Sequence, residues 1–347
     1  MSRKAFLYLW CACVALSVLS GEATKASAAD LTVGAFGGIW EQSLRKCSVE
    51  PFQKKTGKSV DIVLGAPIQW LNQIAANPAK PPVDVIFNPT ETSLDAVNRG
   101  LVDKFTPDKV PNMAQLEPKF LEIANGNGAV HNYGTMGLIY NKSTVKEPPK
   151  TWKDFYEGVS AGKWKASMPN INYPSAGFTV SVWQLADLYG GGVDNVQPAF
   201  DTLKRLVASG NMSFWTDPNQ VLNALNSGDV DIAEYWDGRA WAFIDDGHDD
   251  FGFSLPSPGG VVALTWIQKV RNSPDLGWSF VDFTMSAEVQ SCFGSSIRYG
   301  VGNTKAKFDA TAAKEITPFS EIVLPPFQDI PSRQSKWLED WNKQVGR

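Results

Sequence analysis

The sequence predicts an α/β protein built on mainly parallel sheets and divided into two lobes. Three observations carry this. Short apolar runs alternate with segments of helical spacing between residues 31 and 100, the same alternation resumes after residue 141, and 43% of the 347 residues are apolar, ample for packed cores. The stretch Tyr133 to Asn141 reads as an extended crossing between the two units.

Leu31 to Phe36 is an apolar run stopped by Gly37-Gly38, and so a strand; Trp40 to Lys55 then sets Trp40, Leu44, Cys47 and Phe52 at helical spacing until Gly57. Val60 to Leu64 is a second strand, Ile68 to Ala76 a helix, and Val83 to Phe87 a third strand closed by Asn88-Pro89. Thr90 opens a helix that ends near Arg99-Gly100. Sheets of this kind bind ligands beyond the carboxyl ends of their strands. The loops Gly37 to Trp40, Gly65 to Gln69 and Asn88 to Glu91 are therefore the first site candidates, with Gly38, Trp40, Asn88 and Thr90 among their residues. The Gly37-Gly38 loop also leads into a helix amino terminus, whose free N–H groups favour an anion.

In the second unit, roughly Asn141 to Leu255, Trp152 to Val159 and Phe178 to Tyr189 are helical, and Gly190-Gly191-Gly192 ends the latter. Val196 to Ala208 and Gln220 to Asn226 continue the alternation, and Asp229 to Tyr235 is a strand running into Trp236-Asp237-Gly238-Arg239. Val261 to Ile267 is a further strand after the turn at Pro256 to Gly260, Leu276 to Phe293 one long helix, and Trp337 to Val345 an amphipathic helix.

The amino terminus has its own pattern. Arg3 and Lys4 precede an apolar run from Ala5 to Leu19, and Ala26-Ser27-Ala28-Ala29 offers a small-residue cleavage site, so residues 1–29 read as a secretory signal peptide. The run is shorter than the roughly 20 apolar residues that span a bilayer. Cys11 follows the bulky Trp10, which argues against a lipid-modified cysteine. The mature chain is expected to be soluble and exported.

Loss of Arg3, Lys4, Lys25 and Glu22 with the leader leaves 29 basic and 35 acidic residues, a formal charge of −6. Without a basic cluster this gives no footing for nucleic acid or an anionic membrane, and small solutes remain the natural partner. Cys47 and Cys292 are the two thiols left, and in an oxidising compartment they either pair or sit buried and inert.

Catalytic apparatus is not visible. His131 and His248 stand far apart without ligands at zinc spacing, and Gly294-Ser295-Ser296-Ile297-Arg298 lacks the closing glycine of a nucleophile elbow. Gly34-Ala35-Phe36-Gly37-Gly38 follows a strand with the wrong glycine spacing for a dinucleotide loop, and no cofactor or metal is implied. Binding chemistry is present instead. Thirteen tryptophans include several in loop-like contexts, and Trp40, Trp236 and Tyr299 could wall a small-molecule cleft with cation–π attraction for an ammonium group. Asp237 and Arg239 lie on one loop, either as ligand groups or as a local ion pair.

The segments LTVGAFGGIWEQSLRKCSVEPFQKKTG, LIYNKSTVKEPPKTWKDFYEGVSAGKWKASMP, DVDIAEYWDGRA and GWSFVDFTMSAEVQSCFGSSIRYGVGN, in that order, resemble the extracellular solute-binding proteins of ABC importers. The likeness is to the branch with spermidine/putrescine-binding and ferric-ion-binding members. It implies the two-lobe periplasmic binding protein fold of type II, each lobe a mainly parallel sheet flanked by helices. Residues 30–137 and 262–313 would form lobe 1, and 138–261 with 314–347 lobe 2. Cys47 and Cys292 then share a lobe, which favours a disulfide between them.

Carried over by position, the polyamine-binding pattern supports Trp40, Thr90, Trp236 and Tyr299. It departs at the acids: the stretches matching the family's carboxylates read Ser175-Ala176-Gly177-Phe178-Thr179 and Ala263-Leu264-Thr265-Trp266, with Thr179 and Thr265 as the polar positions on offer. Asp237 or Glu91 could supply one negative charge, which suits a monoamine or a zwitterion better than a polyamine, and Arg298 could hold a carboxylate or phosphonate. No Tyr-Tyr pair is present, so a ferric-ion cargo ranks low.

The resemblance thus implies a monomeric periplasmic receptor that captures a small polar organic solute, whether a polyamine-like amine, another organic cation or a zwitterion. It would deliver that solute to an inner-membrane permease with its ATPase. The alternatives are a secreted α/β hydrolase or transferase and a receptor that presents ligand to a membrane sensor.

Overall fold

The computed structural model describes residues 29–174 and 176–346. The leader expected over 1–29 lies, but for Ala29, outside the described residues. Eleven strands are present among the described residues: β1 Leu31–Ala35, β2 Val60–Leu64, β3 Val85–Pro89, β4 Ala129–Asn141, β5 Ala166–Pro169, β6 Met212–Trp215, β7 Ile232–Trp236, β8 Phe251–Ser254, β9 Gly260–Lys269, β10 Gly300–Val301 and β11 Ile322–Val323.

The ladder runs β2-β1-β3-β9-β4-β7-β5-β6. At one end β1 pairs β2 and β3 in parallel; at the other β5 pairs β6 and β7 in parallel. Each parallel triad is one lobe's sheet, built by strand–helix alternation. Between them lie β9 and β4, antiparallel to their neighbours. β4 is the seam: up to Thr135 it pairs with β9, and from Met136 onward with β7 and β8. It is buried from Ala129 to Ile139, as a strand covered on both faces must be.

Each lobe has its own core. Leu31, Val33, Leu44, Phe52, Phe87 and Phe280 pack in the first, and Trp152, Phe155, Tyr156, Phe200, Leu203 and Ile232 in the second. After residue 313 the chain runs along the seam: Val323 packs against the second core, Phe327 packs with Phe120 and Trp266, and Ile330, Trp337 and Trp341 then join the second core.

Two expected helices differ in detail. The first is Ile39–Leu44 and Glu50–Thr56 joined through a π-helical turn, Arg45–Val49, and it stops where Gly57 takes φ 70°. That turn carries Cys47, which is disulfide-bonded to Cys292 with a Cα separation of 5.6 Å. The long helix expected over Leu276 to Phe293 is instead two, Leu276–Thr284 and Ala287–Ile297. Ser286 breaks it: its backbone is extended and its hydroxyl accepts the N–H of Val289, capping a new helix rather than continuing the old one.

Candidate functional site

The carboxyl ends of β1, β3 and β7 converge on the seam. A cavity of about 190 Å³ opens there, floored by Thr265 of β9, which lies in register with Pro89 of β3 and Asn132 of β4. Its walls come from both lobes.

Trp40 enters from the first turn of the helix after Gly38, whose φ of 71° lies in the left-handed region that favours glycine. The indole is 6% exposed and meets Phe36, Phe87 and Phe293 edge-on at centroid distances of 5.2, 4.9 and 5.3 Å. Those contacts fix one ring edge while the residue lines the cavity. His131 closes this aromatic cluster from below; burial pushes its imidazole down to about 4, so it is neutral, with Nδ1 2.9 Å from Asn132 Oδ1.

Trp236 ends β7 and donates from Nε1 to the Tyr173 hydroxyl at 3.3 Å. Tyr299 lies between two glycines: a Cβ at Gly134 would stand 3.1 Å from its ring, and one at Gly238 only 2.4 Å. The glycines of β4 and of the helix Asp237–Asp245 thus let the ring from the late loop lie flat against both. Arg239 completes the wall from the first turn of that helix. A second cavity of about 190 Å³ adjoins the first, shares Pro89 and Tyr173 with it, and is lined also by Glu91, Phe178, Thr179 and Gln334.

Of the residues singled out in the sequence, Trp40, Trp236, Thr265 and Tyr299 stand together on the first cavity and Thr179 on the second. Gly38, Asn88, Thr90, Asp237 and Arg298 line neither. Thr90 is buried as a bolt: its hydroxyl accepts from Trp266 Nε1 at 3.1 Å and lies 3.5 Å from the Leu264 carbonyl. Asn88 is fully buried, and its amide has no hydrogen-bond partner among the described residues.

Asp237 is also fully buried. Its Oδ1 accepts the N–H of Thr135 at 3.0 Å and of Gly238 at 2.8 Å, and its Oδ2 accepts the Thr317 hydroxyl at 3.0 Å. Burial outweighs these bonds and pushes the carboxyl up to about 7. Arg298 is taken by Glu315 and by Asp245 of the second lobe, with Nε 2.6 Å from Glu315 Oε2 and Nη2 3.1 Å from Asp245 Oδ2. Neither of these charges faces the cavity.

Arg239 does, and the alternative of a local Asp237–Arg239 ion pair is not realised. The two are separated by two positions on a helix, about 200° of rotation, so one points inward when the other points to the cleft. That offset was the signal available in the sequence for Arg239. Tyr173 had a weaker one, because it follows β5, a four-residue strand with the unpromising sequence Ala-Ser-Met-Pro.

A family model described as bacterial extracellular solute-binding protein matches residues 48–317. The norspermidine sensor of Vibrio cholerae is 22% identical over 306 residues, covering 85% of this chain and 80% of that protein. The thiamine-binding periplasmic protein of Salmonella typhimurium is 22% identical over 286 residues, with 81% and 82% covered. Among solved structures, a Bordetella parapertussis protein described as an extracellular solute-binding protein superposes with a TM-score of 0.83 at 24% identity, covering 91% of this chain and 98% of that one. The architecture is that of the type II periplasmic binding proteins. With the family model spanning most of the sequence, from the π-helical turn of Cys47 to the Thr317 that bonds Asp237, the chain belongs to the bacterial extracellular solute-binding proteins.

Proposed function

We propose that this protein captures a small polar organic solute in the cleft between its lobes and delivers it to an inner-membrane ABC permease with its ATPase. The observation that carries this reading is the position of the cavity. It straddles the strand where the ladder passes from one lobe to the other, and residues from both sides wall it, so a bound solute touches both lobes and favours their closure.

Thermal unfolding of the ligand-stripped mature protein against a metabolite panel tests it. A solute present at about 100 times its Kd adds about 2.7 kcal/mol to the native state and raises the midpoint by several degrees. Radiolabelled uptake of that solute should then fall to background in cells lacking this protein. The relative named as a norspermidine sensor favours, as a second reading, ligand presentation to a membrane sensor. Uptake left intact while a ligand-dependent response disappears would select it.

A further inference from the structure

We propose that the cargo is a zwitterion with its charges at opposite ends, its carboxylate held by Arg239 in the first cavity and its ammonium by Glu91 in the second. The proposal rests on the receptor reading above and names the chemistry of its solute. Three observations support it.

The first is the company each arginine keeps. Arg45, Arg99, Arg271, Arg298 and Arg333 each have an acid within 4.0 Å. Arg205 has none, sits over the Tyr189 ring and lines neither cavity. Arg239 alone faces the cleft without an acid, among the phenols of Tyr173, Tyr235 and Tyr299. The Arg239 side chain is exposed at the mouth of the cleft and hydrogen-bonds the Tyr299 phenol, and its planar fork fits a carboxylate through two parallel hydrogen bonds.

The second is Glu91. It stands in the first turn of the helix Thr90–Asn98 and lines the second cavity, and no cation lies within ion-pair distance of it among the described residues. Burial pushes its carboxyl up, and its own backbone N–H only partly offsets this. An ammonium group arriving in that cavity relieves the same penalty.

The third is the connection and the balance. Pro89 and Tyr173 belong to both cavities, so a short flexible solute can run from one charge to the other past the Tyr173 ring. Glu91 and Arg239 are the only acid and the only base among the residues lining the two cavities. A polyamine would set one ammonium against a guanidinium and leave only a single carboxylate for the rest. A zwitterion neutralises both ends.

Calorimetry with three matched series tests this: ω-amino acids of three to six carbons, the diamines of the same lengths, and the corresponding monocarboxylates. At least one ω-amino acid should bind tenfold or more tighter than its diamine and monocarboxylate counterparts. Arg239→Gln should weaken that binding roughly ten- to a hundredfold, Arg239→Lys less, and Glu91→Gln by a similar factor, the scale of one lost charge-assisted hydrogen bond. All three variants change cleft-lining side chains, and unchanged melting midpoints without ligand confirm that they fold. A diamine preferred over its amino acid, or Arg239→Gln without effect, overturns the proposal. So does the absence of binding in all three series; a thermal-shift hit elsewhere in the broad panel would then leave the receptor reading standing without it.

Discussion

The buried carboxylate of Asp237 accepts the backbone N–H of Thr135, the last residue of β4 paired to β9 before that strand changes partners. Through the Thr317 hydroxyl the same carboxylate also holds the segment that leads into β11. Asp237 thus ties β4, its own helix and the Thr317 segment together. Asp237→Ala strands buried donors and should cost about 1–3 kcal/mol, read by urea unfolding. Asp237→Asn keeps Oδ1 as acceptor and lets the amide donate to the Thr317 hydroxyl, so its stability at neutral pH should stay close to that of the native protein.

Tyr299 owes its place to Gly238. An alanine there would put Cβ 2.4 Å from both the Tyr299 ring and the backbone oxygen of Ile297, which cannot rotate away. Gly238→Ala should lose about 1–3 kcal/mol and weaken ligand binding as the phenol is displaced from the cavity wall. Melting and calorimetry on the same sample separate the two effects. Unchanged affinity would remove Tyr299 from the site.

Glu234 gives the second lobe a pH dependence. It is fully buried, receives the Tyr156 hydroxyl at 2.6 Å on Oε1, and burial pushes its carboxyl up to about 8. The folded state therefore keeps a proton that the unfolded chain releases near 4.5. Stability from this group is full below about 4.5 and is lost as pH rises toward 8. Glu234→Gln should flatten the melting midpoint across that window, with its largest gain at the alkaline end. A midpoint profile identical to that of the native protein would contradict this.

The disulfide joins residues 245 positions apart and fastens the π-helical turn to the helix Ala287–Ile297. A chain of residues 30–347, denatured without reductant, should show no free thiol. Cys47→Ala with Cys292→Ala should cost about 2–5 kcal/mol in chemical unfolding.

Most of the alternation was legible because apolar spacing and glycine or proline stops act locally. The helix after β1, the strands at Val60 and Ile232 and the helix at Trp152 follow from their own residues. β4 was read from Tyr133 rather than Ala129 because His131 and Asn132 look like a loop, whereas they are buried and bonded to each other. β5 and β6, with four residues each, carry too little pattern to be seen alone and exist because they complete a ladder.

The site was half legible. Trp40, in the helix turn after β1, and Trp236, at the end of β7, announce a cleft wall by position. Charges do not, because direction depends on the rotation of a helix and the reach of neighbours. Asp237 and Arg239 differ by two positions and face opposite environments, and Arg298 is drawn aside by Glu315, seventeen residues later, and by Asp245 of the other lobe.

A single strand passing through both halves sets the mechanics of the molecule. The lobes are not strung on slack loops; they share the backbone of β4, whose peptide groups stay in the ladder on both sides of Thr135–Met136. Opening must then be absorbed as torsion along a pleated ribbon that already carries a right-handed twist. Any widening of the cleft is therefore resisted, as in a leaf spring, by the few hydrogen-bonded residues on either side of Thr135–Met136.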